Sequence, residues 1–286
     1  MASRIDIFAP AKINLFLHVG EKRPDGFHEL ESLVVFVDAG DRLTFEPADS
    51  LTLKIGGPFG APLAAEADNL ILRAARALAK HSAIGVSAAI TLTKNLPVAS
   101  GIGGGSADAA AALRGLVQLW KLDVSRDDLQ RIAAMLGSDV PVCVDSRTAW
   151  MESRGEIVTP VAAFPSPWLV LVNPGVAVPT AKVFAALKAR TGVGKVNRSA
   201  VGRGSLASHL QATRNDLEAP ALEIAPVIGD VLAALRTRRG AHTVRMSGSG
   251  ATCFAIFESS EAAQAAADAT RAARPDWWVA AARVLA

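Results

Sequence analysis

The segment Pro97–Asp108 constrains the fold of this chain more than any other part of its sequence. It carries four glycines within the five positions Gly101–Gly105 and leads into an apolar, alanine-rich run, Ala109–Leu113. Glycine lets the backbone turn tightly and lets another group approach closely, whereas the run that follows predicts a helix. A loop that enters a helix N-terminus presents backbone N–H groups and the positive end of the helix dipole to an anion, usually a phosphate. The segment therefore predicts a phosphate-binding loop, and it lacks the Gly-Lys-Ser/Thr ending of a P-loop.

Three interpretations of this glycine segment remain open from its residues alone. It could be a structural turn, although consecutive glycines cost conformational entropy when no ligand approaches them. It could begin a dinucleotide-binding fingerprint, but Ser106 stands at the third glycine position and Pro97 separates the segment from the strand before it. The third interpretation, a cradle for a nucleoside triphosphate, meets neither objection.

Composition and charge limit the class of protein. The chain has 286 residues, of which 50% are hydrophobic and 20% are charged, as is typical of a globular enzyme with one large or two modest domains. The net charge of +3 is too small to indicate nucleic acid or an anionic membrane, so we expect neither as a partner. The proline-rich segment 160–167 is the best boundary, which predicts an N-terminal lobe over residues 1–160 and a C-terminal lobe over 161–286.

Cysteines, histidines and the N-terminal residues bear on the compartment. Cys143 and Cys253 lie in apolar runs without C-x-x-C spacing, which predicts buried, reduced thiols. The five histidines show no spacing typical of a zinc site, so no protein metal ligands are predicted. The first ten residues lack the apolar core of a signal peptide. We therefore expect a cytoplasmic protein, as a monomer or a weak homodimer.

The hydrophobic pattern predicts a mixed α+β fold. Alternation over residues 12–19 predicts a strand that carries Lys12 and Asn14 on one face. Asp68 is the predicted cap of a helix whose apolar stripe comprises Ile71, Ala74, Ala75 and Leu78. Regular βαβ alternation is absent, so two α+β lobes with mostly antiparallel sheets fit best. Further predicted strands are 30–37, 42–46, 51–55, 86–92, 168–173 and 251–257. One further helix is predicted to follow the glycine segment and end near residue 120, and others to cover 126–136, 180–190 and 226–238.

Three motifs that follow one another along the chain resemble those of a known family. They are APAKINL at residues 9–15, PVASGIGGGSA at 97–107 and MSGSGAT at 246–252. In these motifs the chain resembles the GHMP kinases, the superfamily of galactokinase, homoserine kinase and mevalonate kinase. The resemblance implies ATP-dependent phosphorylation of a small-molecule alcohol. It also implies a two-lobe α+β fold with the active site in the cleft between the lobes.

Four further segments make the resemblance narrower. They are KRPDGFHEL at residues 22–30, GSDVP at 137–141, VPTAKVF at 178–184 and NDLE at 215–218. In these segments the chain is similar to the members of the superfamily whose acceptor is a cytidine diphosphate conjugate. The similarity covers about residues 5–257, which is nearly the whole chain.

The resemblance implies a catalytic pair. Asp139 would take the proton of the acceptor hydroxyl, and Lys12 would be its partner. An ammonium group near a carboxylate keeps the carboxylate ionised and can hold the incoming hydroxyl, which agrees with these roles. From the residues alone two alternatives stay open, a helix N-cap for Asp139 and a solvated strand lysine for Lys12.

The resemblance also implies an ATP site that includes the glycine segment. Asn69 and Lys94 match positions that line the adenine pocket, with solvent exposure as the open alternative. Within the segment the glycines admit the phosphates and Ser106 donates to them, while Ala107 stands where the family often has a second serine. Mg²⁺ should accompany ATP, with no protein ligands predicted. The implied ATP-binding residues are Asn69, Lys94, Pro97, Val98, Ala99, Ser100, Gly101, Ile102, Gly103, Gly104, Gly105, Ser106 and Ala107.

The implied acceptor site recognises a cytosine ring. Phe27 and Phe184 match positions that sandwich the base, and His28 matches the position that hydrogen-bonds it. The family often has tyrosine in place of Phe27, and this chain contains no tyrosine. Core packing for both phenylalanines and a helix N-cap for Thr180 are the open alternatives. The implied substrate-binding residues are Asn14, Phe27, His28, Thr180, Phe184, Gly248 and Gly250.

Two other functions remain open from the sequence. The chain could be a GHMP kinase for a sugar, homoserine or mevalonate, which the Phe27-His28 motif disfavours. It could also be a non-catalytic module that binds nucleotide or RNA. The presence of both Lys12 and Asp139, together with the weak net charge, disfavours such a module.

Overall fold

The computed structural model describes residues 4–63, 68–188, 190, 192–194, 196–198 and 206–285. The chain forms two compact units. Unit 1 comprises Met1–Ala11, Gly40–Val98 and Gly103–Ser146, and unit 2 comprises Lys12–Ala39, Ala99–Ile102 and Arg147–Ala286. Two long strands, β1 (Ile5–Lys22) and β2 (His28–Glu46), pair with each other and belong in part to each unit. The division into ligand-binding lobes at residue 160 stays a prediction.

Unit 1 combines a small sheet with four helices. Residues 42–46 of β2 pair antiparallel with β4 (Ala88–Thr93), and β4 pairs parallel with β3 (Leu51–Gly56). A single 3₁₀ turn, Ala61–Leu63, lies between β3 and the first helix. The helices, which pack on one another, are α1 (Leu70–His81), α2 (Gly104–Leu119), α3 (Arg126–Leu136) and α4 (Val140–Asp145).

The helices of unit 1 follow the pattern of their residues. The predicted apolar stripe of α1 is buried, and so is the whole run Ala109–Leu113 of α2. Gly115 lets α2 approach the sheet, because a Cβ added there would lie 2.3 Å from the Phe45 ring. Ser125 begins α3, where its hydroxyl accepts a hydrogen bond from the backbone N–H of Asp128. The predictions of α1, α2 and α3 are therefore confirmed.

Unit 2 contains an antiparallel four-stranded sheet in the order β10-β7-β9-β8. Residues 30–34 of β2 also pair with β5 (Ala149–Ser153), and β5 pairs with β6 (Ile157–Pro160). The apolar core of the unit lies between the four-stranded sheet and its helices, and it includes Val170, Val172, Val231, Phe257 and Ala267. The remaining elements are β7 (Trp168–Asn173), α5 (Thr180–Ala185), α6 (Leu206–Gln211), α7 (Glu218–Ile224), α8 (Val227–Arg236), β8 (Val244–Met246), β9 (Cys253–Phe257), α9 (Ser260–Ala273) and β10 (Trp278–Arg283).

The α+β class with mostly antiparallel sheets is confirmed, and several boundaries are corrected. The predicted turn between residues 37 and 42 is wrong, because β2 runs through it without a break. Asn69, and not Asp68, is the N-cap of α1. Helix α5 ends at Ala185, short of the predicted residue 190. The pattern did not predict α4, α6 or α7, because helices of six or seven residues are too short to show a period.

The two cysteines agree with their prediction. Cys143 and Cys253 are both buried thiols outside any disulfide. Burial raises the pKa of the Cys253 thiol well above its usual value, so this thiol stays protonated and unreactive. Within the described part of the chain, no helix is both long enough and apolar enough to cross a membrane.

Candidate active site

The face of β1 that carries Lys12 and Asn14 is buried in unit 2. Lys12 and Asn14 are only 2% and 1% exposed, so a solvated lysine at position 12 is excluded. The backbone N–H of Lys12 donates to the carbonyl of Ile102, 2.9 Å away. The Asn14 side-chain amide donates to Ser32 Oγ at 2.8 Å, whereas its Oδ1 has no hydrogen-bond partner among the described residues. A buried amide oxygen without a partner is costly, so Asn14 has an acceptor available for a ligand.

Two glycine loops of unit 2 are in direct contact. A Cβ added at Gly101 would lie 2.5 Å from the Ser247 carbonyl oxygen, and one added at Gly248 would lie 2.6 Å from the Gly101 carbonyl oxygen. Gly248 also has a positive φ of 56°, where residues with a side chain are strained. Ser247 Oγ donates to the Gly101 carbonyl at 3.1 Å and accepts the backbone N–H of Asn14 at 3.1 Å. The MSGSGAT motif therefore holds residues 99–102 against β1.

Asn215 fixes the conformation of the Ser247–Ser249 loop. Its side-chain amide donates to the carbonyls of Met246 and Gly248, both at 2.8 Å. Its Oδ1 accepts the backbone N–H of Leu217 at 3.0 Å. Both polar atoms of this buried side chain are therefore engaged in hydrogen bonds. The match of NDLE to the family motif pointed to this segment, but its role was visible only in the structure.

Aromatic rings and one histidine form a second cluster in unit 2. His28 and Phe184 stack with ring centroids 5.6 Å apart and an angle of 23° between the planes. His28 Nδ1 lies 3.2 Å from the Gly20 carbonyl oxygen. Because a carbonyl oxygen only accepts, Nδ1 is the donor, and in a neutral ring Nε2 is then left as an acceptor. Phe27 is 46% exposed, which contradicts core packing there, and the Arg154 guanidinium lies 5.3 Å from its ring centroid. Phe184 is half-buried and also packs against the core.

Thr180 connects this cluster to the glycine loops. It is the first residue of α5, and Pro179 occupies the N-cap position, so the N-cap interpretation of Thr180 is wrong. Its Oγ1 lies 2.8 Å from Ser249 Oγ, within hydrogen-bond distance. Lys12, Asn14, Phe27, His28, Thr180, Phe184, Gly248 and Gly250 thus all belong to unit 2.

The second half of the glycine segment starts a helix in unit 1. Gly103 is the N-cap of α2 with a φ of 65°, and Gly104, Gly105 and Ser106 form the first turn. The flexible loop is thus shorter than its glycines predict. Gly105 is exposed and Ala107 is buried, so a side chain at 107 points away from solvent. The N–H groups of a first turn have no partner within the helix, which suits a phosphate.

The other ATP-site candidates of unit 1 are engaged in protein contacts. Asn69 Oδ1 accepts the backbone N–H of Ile71 at 2.9 Å as the N-cap of α1. Lys94 is 2% exposed, and its Nζ donates to Asp41 Oδ2 and Asp108 Oδ2, each at 2.6 Å. Burial lowers the pKa of Lys94, but these two carboxylates outweigh it and leave the pKa above its ordinary value. Solvent exposure is therefore the wrong alternative for Asn69 and Lys94.

Asp139 stands at the N-cap position of α4 but does not cap the helix. Its side chain makes no capping hydrogen bond, so the interpretation of Asp139 as a side-chain N-cap of this helix is wrong. Pro141 is one of the first two residues of α4, where the missing N–H costs nothing. Among the residues that the structure describes, no group of three His, Cys, Asp or Glu side chains could hold a metal ion.

Sequence reasoning missed four residues that support the candidate site. Asp108 stands at the start of the alanine-rich run of α2, and a carboxylate beside such a run was the available signal. Ser32 follows Glu31 and Asp41 follows Gly40, so nothing local indicated that these two residues are buried. Ser247 was seen only as part of a motif.

Comparison with known proteins is consistent with this arrangement. Residues 69–147 match the model of the GHMP kinases N terminal domain, and residues 196–276 match that of the GHMP kinases C terminal. The chain is 51% identical over 283 residues to a 4-diphosphocytidyl-2-C-methyl-D-erythritol kinase from Parvibaculum lavamentivorans, with 98% of each chain covered. It is 52% identical to the same kinase from Cereibacter sphaeroides strain ATCC 17029, with 98% of this chain and 99% of the relative covered.

Solved structures give the same result. A crystal structure of 4-(cytidine 5'-diphospho)-2C-methyl-D-erythritol kinase aligns with a TM-score of 0.81 and 33% identity, covering 99% of this chain and 100% of that one. L. major mevalonate kinase in complex with R-mevalonate aligns with a TM-score of 0.74 at 18% identity, covering 99% and 96%, which shows the fold alone. The chain belongs to the GHMP kinases.

Proposed function

We propose that this chain transfers the γ-phosphoryl group of ATP to the 2-hydroxyl of 4-diphosphocytidyl-2-C-methyl-D-erythritol, a step in the non-mevalonate formation of isoprenoid precursors. The observation that carries the proposal is the identity of about half of all positions, over 98% of the chain, to relatives named as this kinase. The residues that the resemblance assigns to the acceptor are present in unit 2.

The transfer needs positioning and charge stabilisation more than covalent chemistry from the protein. In the proposal Asp139 accepts the proton of the attacking hydroxyl, a role open to a carboxylate that does not cap its helix. Lys12 supplies positive charge from the buried face of β1, where low polarity strengthens its field. Asn14, with its buried Oδ1, orients the acceptor beside Lys12.

Recognition of the cytosine ring is assigned to Phe27, His28 and Phe184. His28 donates through Nδ1 to Gly20, which leaves Nε2 to accept a hydrogen bond from the exocyclic amino group of cytosine. The exposed ring of Phe27 and the half-buried ring of Phe184 supply the faces on which a base stacks. Thr180, Gly248 and Gly250 are assigned to the remainder of the acceptor, where Gly248 permits close backbone approach.

ATP is assigned to the glycine segment and the start of α2, with the adenine near Asn69. Mg²⁺ accompanies ATP in this proposal. Phosphate oxygens and water molecules would supply most of its ligands, since this ion gives up its waters reluctantly. We further propose that the protein works in the cytoplasm, as a monomer or weak homodimer without a nucleic-acid or membrane partner.

An ADP-release assay tests the proposal. Purified protein is given ATP and Mg²⁺ with the cytidylated substrate, galactose, homoserine or mevalonate in separate reactions. We expect release with the cytidylated substrate alone. Release with one of the other three would assign the chain to another GHMP kinase activity, and release with none would favour a non-catalytic module.

A further inference from the structure

Three charged side chains are buried together in unit 1. The Lys94 ammonium donates to Asp41 Oδ2 and to Asp108 Oδ2, each at 2.6 Å. The exposed fractions of the Lys94, Asp41 and Asp108 side chains are 2%, 0% and 4%. Lys94 follows β4, Asp41 lies in β2 and Asp108 lies in α2, so the cluster joins three elements.

The cluster lies directly beneath the start of α2. A Cβ added at Gly104, the first residue of the helix, would lie 3.0 Å from Lys94 Nζ and 3.8 Å from Asp41 Oδ2. Asp41 Oδ1 also accepts the backbone N–H groups of Asn95 and Leu96, at 2.6 and 2.9 Å. These two residues lead into the glycine segment. The cluster therefore holds both the entrance to the segment and the helix that follows it.

The cluster has one cation for two carboxylates, and the two carboxylates are not equivalent. Asp41 accepts three N–H groups, from Lys94, Asn95 and Leu96. Asp108 accepts only from Lys94, and its buried Oδ1 has no hydrogen-bond partner in the described part of the chain. Burial raises the pKa of Asp108 to about 7, with Lys94 lowering it and Asp41 raising it. Asp108, which accepts fewer hydrogen bonds and whose pKa is raised, is therefore the carboxyl group at which the cluster can take up a proton.

Lys94 and Asp41 are the charged groups that act on Asp108. Helices α1, α3 and α4 also pack against α2, and the residues that they bury in the described part of the chain carry no charge. Those residues include Ile71, Leu78, Ile132, Leu136, Val140 and Val142.

We infer that Lys94, Asp41 and Asp108 are positioning residues, which hold the first turn of α2 in the conformation that binds the ATP phosphates, and that ATP binding favours the protonated form of Asp108. In this inference Lys94 supports the first turn of α2 from the protein interior. This role replaces the contact with adenine that the resemblance implies for Lys94. An ionised Asp108 would add a negative charge to the turn that receives the phosphates. Binding and protonation are therefore coupled, and each favours the other to the same degree. The inference rests on the proposed role of this segment in ATP binding.

A pH series with an Asp108→Asn variant tests the coupling. The dissociation constant of a non-hydrolysable ATP analogue with Mg²⁺ is measured for the full chain between pH 6 and 8.5. Over this range we expect the dissociation constant of the wild type to rise with pH. Its rise should be about fivefold larger than that of the Asp108→Asn variant. The control is Asp127→Asn, which removes an exposed carboxylate from the first turn of α3 and should follow the wild type. The phosphates of the analogue titrate equally in all three proteins, so parallel curves would overturn the inference.

A double-mutant cycle separates positioning from direct contact. Lys94→Met leaves two buried carboxylates facing one another, and we expect about tenfold weaker binding of the analogue, part of which Asp108→Asn restores. Strictly additive effects would mean that Lys94 acts on the nucleotide independently of Asp108, and would overturn the inference. If Lys94→Met fails to unfold cooperatively, the pH series with the nearly isosteric Asp108→Asn decides alone.

The binding assay contains no acceptor, so the inference and the proposed function can fail separately. Absence of ADP release with the cytidylated substrate, together with diverging pH curves, would overturn the function and leave the inference standing. ADP release together with parallel curves would do the reverse. No binding of the analogue to the wild type at any pH would overturn the inference.

Discussion

The two units build their candidate residues in different ways. In unit 1 the candidates stand where helices begin, with Asn69 at the start of α1, Gly103 before α2 and Asp139 before α4. In unit 2 the candidates are mainly side chains, several of them linked by hydrogen bonds, such as Asn14 with Ser32 and Thr180 with Ser249. Unit 1 presents backbone N–H groups at helix N-termini, whereas unit 2 presents side chains that are held in place by hydrogen bonds.

This difference fits the proposed assignment of the ATP phosphates to the start of α2 and of the cytosine ring to the aromatic cluster of unit 2. Helix N-termini present N–H groups and partial positive charge, which suit the multiply charged phosphates of ATP. Stacked rings and a histidine with a fixed tautomer suit a neutral base with two faces and one polar edge. Substitutions at the start of α2 should therefore change kinetic parameters for ATP, and those in the aromatic cluster of unit 2 should change parameters for the acceptor.

The largest expected effect comes from Asp139→Asn. The amide keeps the size of the side chain but cannot accept the hydroxyl proton, so we expect kcat to fall by about 10²–10⁴-fold. The variant should still unfold cooperatively, because the Asp139 side chain makes no capping hydrogen bond to α4. Steady-state ADP release and calorimetry are the measurements. Wild-type turnover by a folded variant would remove Asp139 from the mechanism.

Gly248→Ala tests whether the loops of unit 2 depend on backbone contact. The new Cβ would lie 2.6 Å from the Gly101 carbonyl oxygen at a φ of 56°. We expect a loss of about 3 kcal/mol in the free energy of unfolding, from overpacking together with backbone strain. Gly175→Ala is the matched control, since Gly175 also has a positive φ but a Cβ there meets nothing within 4 Å. Equal losses of unfolding free energy in both variants would show that strain alone matters.

Phe27→Ala tests the assignment of the base to unit 2. Loss of one stacking face should raise KM for the cytidylated substrate by about tenfold while KM for ATP changes little. Ile157→Ala, which truncates another exposed apolar side chain of the same unit, should leave both values unchanged. Initial rates with each substrate varied in turn give the two KM values. Equal increases in both for Phe27→Ala would contradict stacking.

The smallest expected effect is that of Gly105→Ala, which should stabilise the fold but weaken the use of ATP. Gly105 is exposed in the first turn of α2, and a Cβ there meets only Leu70 Cδ1 at 3.8 Å. Gly105→Ala should therefore raise the free energy of unfolding by about 0.5–1 kcal/mol through helix propensity. KM for ATP should nevertheless rise, because the methyl group hinders approach of a phosphate. Gly229→Ala, within α8 of unit 2, should stabilise the fold without changing KM for ATP. An unchanged KM for Gly105→Ala would mean that phosphate does not approach at this residue.

Prediction from sequence succeeded where a local pattern repeats over many residues. The stripe of α1, the alternation of β1 and the continuous apolar run of β7 are such patterns, and each contains enough residues to be recognised. Prediction was wrong where pairing overrides local preference. Residues 38–41 contain turn-forming Asp and Gly, yet they continue as strand because β2 is hydrogen-bonded on both sides of them.

The candidate site was only partly predictable for a similar reason. The resemblance named Lys94 and Thr180 as candidates, but their neighbours come from distant parts of the chain. Lys94 contacts Asp41, 53 residues away, and Thr180 contacts Ser249, 69 residues away. No local pattern records contacts at such separations.

The sequence by itself determined the family, the α+β class and the identity of the residues proposed to carry the chemistry, because motifs and periodicity are local properties of a chain. Only the tertiary structure decided which of these residues are buried and what they contact. Lys94 illustrates the difference. Its type and position are read from the sequence, but its engagement with two carboxylates beneath Gly104 arises from the packing of three separate elements.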